Sequence, residues 1–371
     1  MKLYEYMGKE IFARYGIRVP RGRVVTSAEE AAAAAGELGG PVVLKAQVLV
    51  GGRGKAGAVK FAENAEEAAA AAGELLGREI KGCRVERVLV EERLRIDREL
   101  YLSVAVDGGA RRPILLASAD GGVDIEEVPE ERLVRYHVDP AVGVLPYVGR
   151  EVTRRLGLTG NVAREVQRIV PALYRIFCEK DAELVEINPL VVCGEEVLAA
   201  DAKVTVDDEA LFRQKDLPYV EERTDIERRA HELGLSYVEL DGNISVMANG
   251  AGMTMATLDL IQAYGGRPAN FLDAGGGTGE EATARALELL LATGPRAIFI
   301  NIFGGITRCD DVARAFVRVK ESREIPVPVV IRLVGTNEEQ ALAILRAAGI
   351  EAFRNMEEAA RKAVELAGGE G

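Results

Sequence analysis

Lys45 is the residue of this sequence that most demands a chemical explanation. It interrupts the apolar run PVVLKAQVLV, where a buried ammonium would need an anionic partner. The chain then runs into GGRGKAG, so Lys45 to Gly57 holds four glycines together with the cations Lys45, Arg53 and Lys55. Glycine lets backbone amides approach an anion closely, and the cations supply charge, which suits a phosphate cradle. A basic surface loop has the same composition. The segment is not a P-loop, because Leu49 and Ala56 stand where that motif needs Gly and Ser or Thr.

A second candidate lies in ELVEINPLVVCGEEVLAADAKV, which reads as a β-hairpin. A two-residue turn at Gly194-Glu195 sets Asn188 opposite Asp201 and Glu186 opposite Lys203. Strand alternation then puts all four on one face, with Ile187, Val191 and Leu198 on the other. One carboxylate and one amide oxygen suit Mg²⁺, which takes few protein ligands and keeps phosphate oxygens and water. A solvent-facing polar pair would look the same, and a Glu186–Lys203 ion pair would be ordinary. The third candidate joins two glycine-rich turns, DAGGGTGE from Asp273 and GGITRCD from Gly304, with Asn249 in an N-G-A-G turn. Each turn sits where a strand signal gives way to a helix, and helix N-termini attract anions. Tight turns use glycine for steric reasons too, and neither segment matches the dinucleotide pattern G-x-G-x-x-G. The two histidines, His137 and His231, lie away from these turns, and neither reads as catalytic.

The elements that must position these groups fall into two grammars. Tyr4, Met7, Ile11, Phe12 and Tyr15 have helical spacing and stop at Gly16. Ser27 with Glu30, and Asn64 with Glu67, have capping-box spacing before alanine-rich helices. Strand signals follow in VERVLVEE, ELYLSVAVD and RPILLASAD, then a long helix over 158–179 bent at Pro171. Leu217–Glu239 is charged and reads as a connector. After Asp241, NISVMANG, PANFLDAGG, AIFINIFGG, PVVIRLVG and EAFR alternate with helical stretches. That alternation predicts a parallel sheet of about five strands, with ligands beyond their carboxyl ends. The fold class is therefore α+β followed by α/β.

Composition narrows the function. A net charge of −12 argues against a nucleic-acid surface, which needs clustered cations. Cys83, Cys178, Cys193 and Cys309 have neither disulfide-framework nor metal-ligand spacing. No signal-peptide core opens the chain and no apolar run reaches membrane-spanning length, so the expected location is cytoplasmic, with no membrane partner.

In order along the chain, YEYMGKEIFARYGIRVPRG, KAQVLVGGRGKAG, ASADGGVDIEEV, ELVEINPLVV, ALFRQKDL, VELDGNISVMANGAGM, PANFLDAGGG and INIFGGITRCD resemble the β subunits of ADP-forming succinate–CoA ligases. The resemblance implies an ATP-grasp domain over 1–225, with 21–100 as an inserted subdomain. A flavodoxin-like, doubly wound CoA-ligase domain would follow over 240–371. It implies that Lys45 and Gly52-Arg53-Gly54 hold the phosphates of ATP, Glu91 and Leu94 lie at the adenine, and Glu99 lies at the ribose. By the same likeness Asn188 and Asp201 bind Mg²⁺, and Glu186 orients the histidine that receives the phosphoryl group. Asn249, Gly305, Ile306 and Thr307 would face the carboxylate substrate and the phosphohistidine. Thr307 departs from the family, where many members carry Val, and would add a hydroxyl beside the substrate. ERLRIDREL is unusually basic for the base-binding region, and Pro20 matches the ATP-using members.

The implied activity is formation of succinyl-CoA from succinate, CoA and ATP. Since no histidine here has a catalytic setting, an α subunit would carry the phosphohistidine and most of the CoA site. The large subunit of a malate–CoA ligase shares these motifs. A carboxylate–amine ligase of the ATP-grasp class would lack the GGITRCD domain, and a non-catalytic regulatory subunit would have no need of Lys45, Asn188 and Asp201 together.

Overall fold

The computed structural model describes residues 1–49, 57–80, 83–221, 223–277 and 279–368. The chain forms two compact units, Met1–Glu222 and Arg223–Gly371.

The first unit opens with α1 (Glu5–Arg14), which ends where Gly16 takes a left-handed φ of 79°. Then come β1 (Gly22–Val25), α2 (Ala28–Leu38), β2 (Val42–Ala46), β3 (Val59–Ala62), α3 (Ala65–Leu75), β4 (Glu79–Ile80), β5 (Cys83–Arg84) and β6 (Val88–Glu92). The four longer strands make a sheet in the order β1-β6-β2-β3. Helices α2 and α3 have the same sequence, AEEAAAAAGEL, and pack against each other. Their buried alanines, Ala31, Ala34 and Ala35 in one and Ala68, Ala71 and Ala72 in the other, form part of one core with the sheet. Ser27 and Asn64 cap them by accepting from Glu30 N and Glu67 N. The two glutamates reach back to Thr26 N and Glu63 N, one residue outside the expected box.

The rest of the unit is built on a second sheet. It contains β7 (Arg98–Asp107), β8 (Arg112–Ser118), β9 (Leu133–His137), β10 (Ala182–Cys193), β11 (Glu196–Ala199) and β12 (Lys203–Val206), with α4 (Pro146–Arg155) and α5 (Gly160–Glu179) inserted before β10. Its order is β11-β10-β7-β8-β9, with β12 also pairing β10. Helix α5 runs through Pro171 and buries Val166, Ile169, Val170, Leu173 and Ile176 in the core under this sheet, with Ile11 and Phe12 of α1.

The second unit contains α6 (Asp225–Glu232), β13 (Ser236–Glu239), β14 (Ile244–Ala248), α7 (Ala251–Ala263), β15 (Asn270–Asp273), α8 (Glu280–Ala292), β16 (Ala297–Gly304), α9 (Cys309–Ser322), β17 (Val329–Gly335), α10 (Glu338–Ala347), β18 (Ala352–Phe353) and α11 (Met356–Leu366). The sheet order is β13-β15-β14-β16-β17-β18, parallel but for β13. The five expected strands are the parallel ones. Leu217–Glu239 is not a plain connector: β13 pairs antiparallel with β15, and α6 packs on β13, so this part of it belongs to the second sheet. Ser236–Glu239 is short and polar but for Tyr237 and Val238, as an edge strand can be, and that hides it in the sequence. Among the described residues no helix is long and apolar enough to cross a membrane.

Candidate functional site

In β2, Val42, Leu44 and Ala46 are buried in the core with the alanine-rich helices, so period-2 alternation turns Lys45 to the other face. There its Nζ meets Glu5 Oε1 at 2.9 Å, Glu91 Oε2 at 3.1 Å and the Ala200 carbonyl at 2.6 Å. Lys9 Nζ lies behind, 2.6 and 2.7 Å from the two oxygens of Glu91 and 2.8 Å from Glu5 Oε1. The Glu5, Glu91 and Lys9 side chains are 0, 2 and 4% exposed, and Lys45 is 14% exposed. Two cations and two carboxylates thus cancel out of water, and Lys45 has the most exposed side chain of the four. Burial works against the Lys45 charge, but Glu5, Glu91 and Asp201 outweigh it and hold its pKa well above the ordinary lysine range. Burial and the neighbouring Lys45 pull the Lys9 pKa down, with Glu5 and Glu91 opposing.

The hairpin keeps the expected register at both ends. Leu190 pairs Ala199, and Glu186 pairs Lys203. Asn188 and Asp201 fall in the same interval between those rungs. The faces differ from expectation. Against β7, Ile187 pairs Leu102 while Leu190 pairs Leu100, so a bulge at Asn188-Pro189 reverses the alternation. Leu190 and Val192 therefore share the core with Ile187, and Val191 and Leu198 lie outside that cluster.

Asn188 Oδ1 accepts from Gly122 N at 2.7 Å and Nδ2 donates to the Val123 carbonyl at 2.9 Å, while Asp201 Oδ1 accepts from Ala202 N. Gly121 and Gly122 lie so close on β7 that a Cβ would collide with the Leu100 backbone and the Glu99 carboxylate respectively. The 121–123 loop thus joins Asn188 to Glu99. Glu186 Oε2 accepts from Tyr101 Oη at 3.0 Å, and burial raises its pKa against the lowering effects of Lys203 and Tyr101. The Ala200 carbonyl brings Lys45 to the turn that carries Asp201. Leu94 lies half-buried in the crossover between β6 and β7, and Gly52, Arg53 and Gly54 lie outside the described residues. An amide and a carboxylate side chain opposed across the hairpin between the same two rungs offer hard oxygens of the kind Mg²⁺ takes.

In the second unit, three loops at the carboxyl ends of β14, β15 and β16 are stitched by short side chains. Asn249 pairs with the Phe303 main chain in both directions, Nδ2 to the carbonyl at 2.9 Å and Oδ1 from the amide at 2.8 Å. Asp273 Oδ1 accepts from Gly250 N at 2.6 Å and Gly275 N at 2.8 Å. Thr307 Oγ1 accepts from Gly277 N at 3.1 Å and lies 3.5 Å from Asn249 Nδ2. β14 and β16 flank the point where strand order reverses, the usual crevice for ligands in such sheets. The Thr307 hydroxyl is turned inward. The residue is 1% exposed, because the hydroxyl supplies the Gly277 amide with a partner, while its neighbour Ile306 is 84% exposed. Beneath, Gly304 and Gly335 touch so closely that a Cβ on Gly335 would collide with the Gly304 backbone.

His137 ends β9 and meets Asp107 Oδ2 at 2.8 Å; His231 is exposed on α6. Among the described residues neither makes a hydrogen bond to the groups above. Glu5 and Lys9 escaped the sequence reading because a Glu–Lys pair four apart on a helix is the ordinary mark of a solvated face. Tyr101 carried no signal beyond its place in a strand, whereas Asp273 opened the third candidate segment with no role of its own assigned.

Two family models match the chain, an ATP-grasp domain over residues 2–192 and a CoA-ligase domain over residues 247–366. The chain is 51% identical to the succinate–CoA ligase (ADP-forming) subunit beta of Rubrobacter xylanophilus, with 99% of each chain covered. It is 47% identical to the protein of the same name from Methanothermobacter thermautotrophicus, again over 99% of both. Its fold is similar to that of ATP citrate lyase from Methanothrix soehngenii, with a TM-score of 0.72, 22% identity, and 98 and 99% of the two chains covered. With an ATP-grasp domain ahead of a CoA-ligase domain and such relatives over its whole length, the chain belongs to the family of ADP-forming succinate–CoA ligase β subunits.

Proposed function

We propose that this chain is the nucleotide-binding β subunit of a cytoplasmic succinate–CoA ligase, acting with a separate α subunit. The reversible reaction joins succinate and CoA at the expense of ATP. The γ-phosphoryl group of ATP passes to a histidine of the α subunit, then to a succinate carboxylate. The CoA thiol displaces phosphate from the resulting succinyl phosphate, leaving succinyl-CoA, ADP and phosphate. What supports this most is the meeting of Lys45 with the Asp201 turn in a chain of this family.

Lys45, with Gly52, Arg53 and Gly54, would neutralise the nucleotide phosphates. Leu94 would pack on the adenine, and Glu99 would bind the ribose. With its carboxylate held by Lys9 and Lys45, Glu91 would lie at the adenine. Asn188 and Asp201 would hold Mg²⁺, which would supply positive charge to offset that of the nucleotide phosphates. Glu186 would accept from the incoming histidine and fix its orientation, with Tyr101 behind it. In the second unit, Asn249 and Thr307 would hold the turn, so that Gly305 and Ile306 present backbone to the succinate carboxylate and the phosphohistidine.

The test is to mix the purified chain with its candidate α subunit and follow CoA thioester formation from Mg-ATP with succinate, malate, acetate and citrate in parallel. Turnover in the mixture, fastest with succinate and absent from either subunit alone, is the expected result. A preference for malate, or turnover by this chain alone, would overturn it.

A further inference from the structure

An ammonium carries three protons: Lys45 donates to Glu5 Oε1 and the Ala200 carbonyl, and Glu91 Oε2 lies 3.1 Å from the same Nζ. Turning this ammonium toward a phosphate oxygen draws it away from both carboxylates. If a carboxylate were released alone, a buried anion would be left without a counter-ion, which strongly opposes the exchange. Lys9 removes that obstacle. Its Nζ lies 2.6 and 2.7 Å from Glu91 and 2.8 Å from Glu5, so both carboxylates keep a cation when Lys45 turns away. At 4% exposure Lys9 is too deep to serve a ligand itself, whereas Lys45 lies at the edge of the network.

We infer that Lys9 is a positioning residue that releases Lys45 to the nucleotide, by remaining as the resident counter-ion of Glu5 and Glu91. The inference rests on the nucleotide-binding role proposed for Lys45. It makes α1 part of the nucleotide site although no atom of Lys9 need touch the nucleotide. The ligand is the polyphosphate of a nucleoside di- or triphosphate, since the exchange requires an anion strong enough to displace a carboxylate from an ammonium.

The experiment is calorimetric titration of Mg-ADP into the complex of this chain with its candidate α subunit, alongside thermal unfolding. Wild type, Lys9→Met, Lys9→Arg and the double variant Lys9→Met with Glu5→Gln are compared. Binding by the wild-type complex tests the nucleotide-site reading itself, and its failure would sink that reading first. Given binding, Lys9→Met weakens it roughly tenfold to a hundredfold, because Lys45 is then held by two buried carboxylates that Lys9 no longer neutralises. Lys9→Arg restores most of it. The double variant rebalances the buried charge and recovers thermal stability, yet it still binds Mg-ADP weakly, because Glu91 then depends on Lys45 alone. Affinity that returns together with stability in the double variant would show Lys9 to be merely structural. An unchanged Kd in a folded Lys9→Met complex would overturn the inference as well.

Discussion

The two units hold their candidate sites together in opposite ways. In the first, Lys45 brings a full charge into the interior, and three further charged side chains are needed to hold it there. In the second, the loops around Asn249, Asp273 and Thr307 are fixed by amide, carboxylate and hydroxyl contacts to main chain, which leaves glycine-rich backbone at the carboxyl edge of the sheet. A buried charge network is strong but fails badly when one member is removed. A stitched loop loses one hydrogen bond at a time. The first arrangement suits a polyphosphate that brings several charges. The second suits a single carboxylate or phosphoryl group that must be held and then passed on.

That contrast can be broken or sharpened by substitution. The largest effect is expected at Asp201: in the complex, Asp201→Ala lowers succinate-dependent turnover roughly a thousandfold while the protein stays folded, as initial rates and circular dichroism would record. Gly335→Ala comes next. With φ at 114° and the Gly304 backbone against it, an added methyl costs about 3 kcal/mol or more of stability, read by thermal unfolding. Asn249→Ala removes both bonds to Phe303 and costs about 1–2 kcal/mol, with the KM for succinate raised and that for ATP unmoved. Thr307→Val loses the Gly277 contact and the long one from Asn249, about 0.5–1 kcal/mol, and Thr307→Ser restores them.

The smallest effect is one of pH. Burial raises the Glu186 pKa and the Tyr101 hydroxyl lowers it, so Tyr101→Phe raises it further. The acid limb of the pH–rate profile, where Glu186 gains a proton and can no longer accept from the histidine, then moves to higher pH. The sign for stability follows from the same shift: the native state binds this proton more tightly than the unfolded chain. Its contribution to stability therefore falls as pH rises through the window between the ordinary and the raised value.

The backbone of the site was legible in the sequence because it rests on patterns with short range. The apolar run PVVLKAQVLV singled out Lys45 as an ammonium in need of an anionic partner, and a two-residue turn at Gly194-Glu195 placed Glu186 opposite Lys203. Strand–helix alternation after Asp241 gave the five parallel strands. What escaped depends on contacts distant in sequence. Glu91 is 82 residues from Lys9, and nothing in Glu5 and Lys9 distinguishes a buried pair from a solvated one. The bulge at Asn188-Pro189 was hidden because a proline in a strand can mark an edge as readily as a bulge. The inward turn of Thr307 depends on the Gly277 amide, 30 residues earlier. β13 lacks alternation strong enough to separate it from a linker.

The central claim is a division of labour, with nucleotide chemistry on this chain and the phosphoryl acceptor on its partner. It is tested most directly by exposing the assembled complex to Mg-ATP labelled in the γ-phosphoryl group, quenching under alkaline conditions and separating the subunits. Acid-labile, alkali-stable label is predicted on the α subunit alone, and lost from it when Lys45→Met or Asp201→Ala is introduced here. Label on His137 or His231 of this chain would contradict the account.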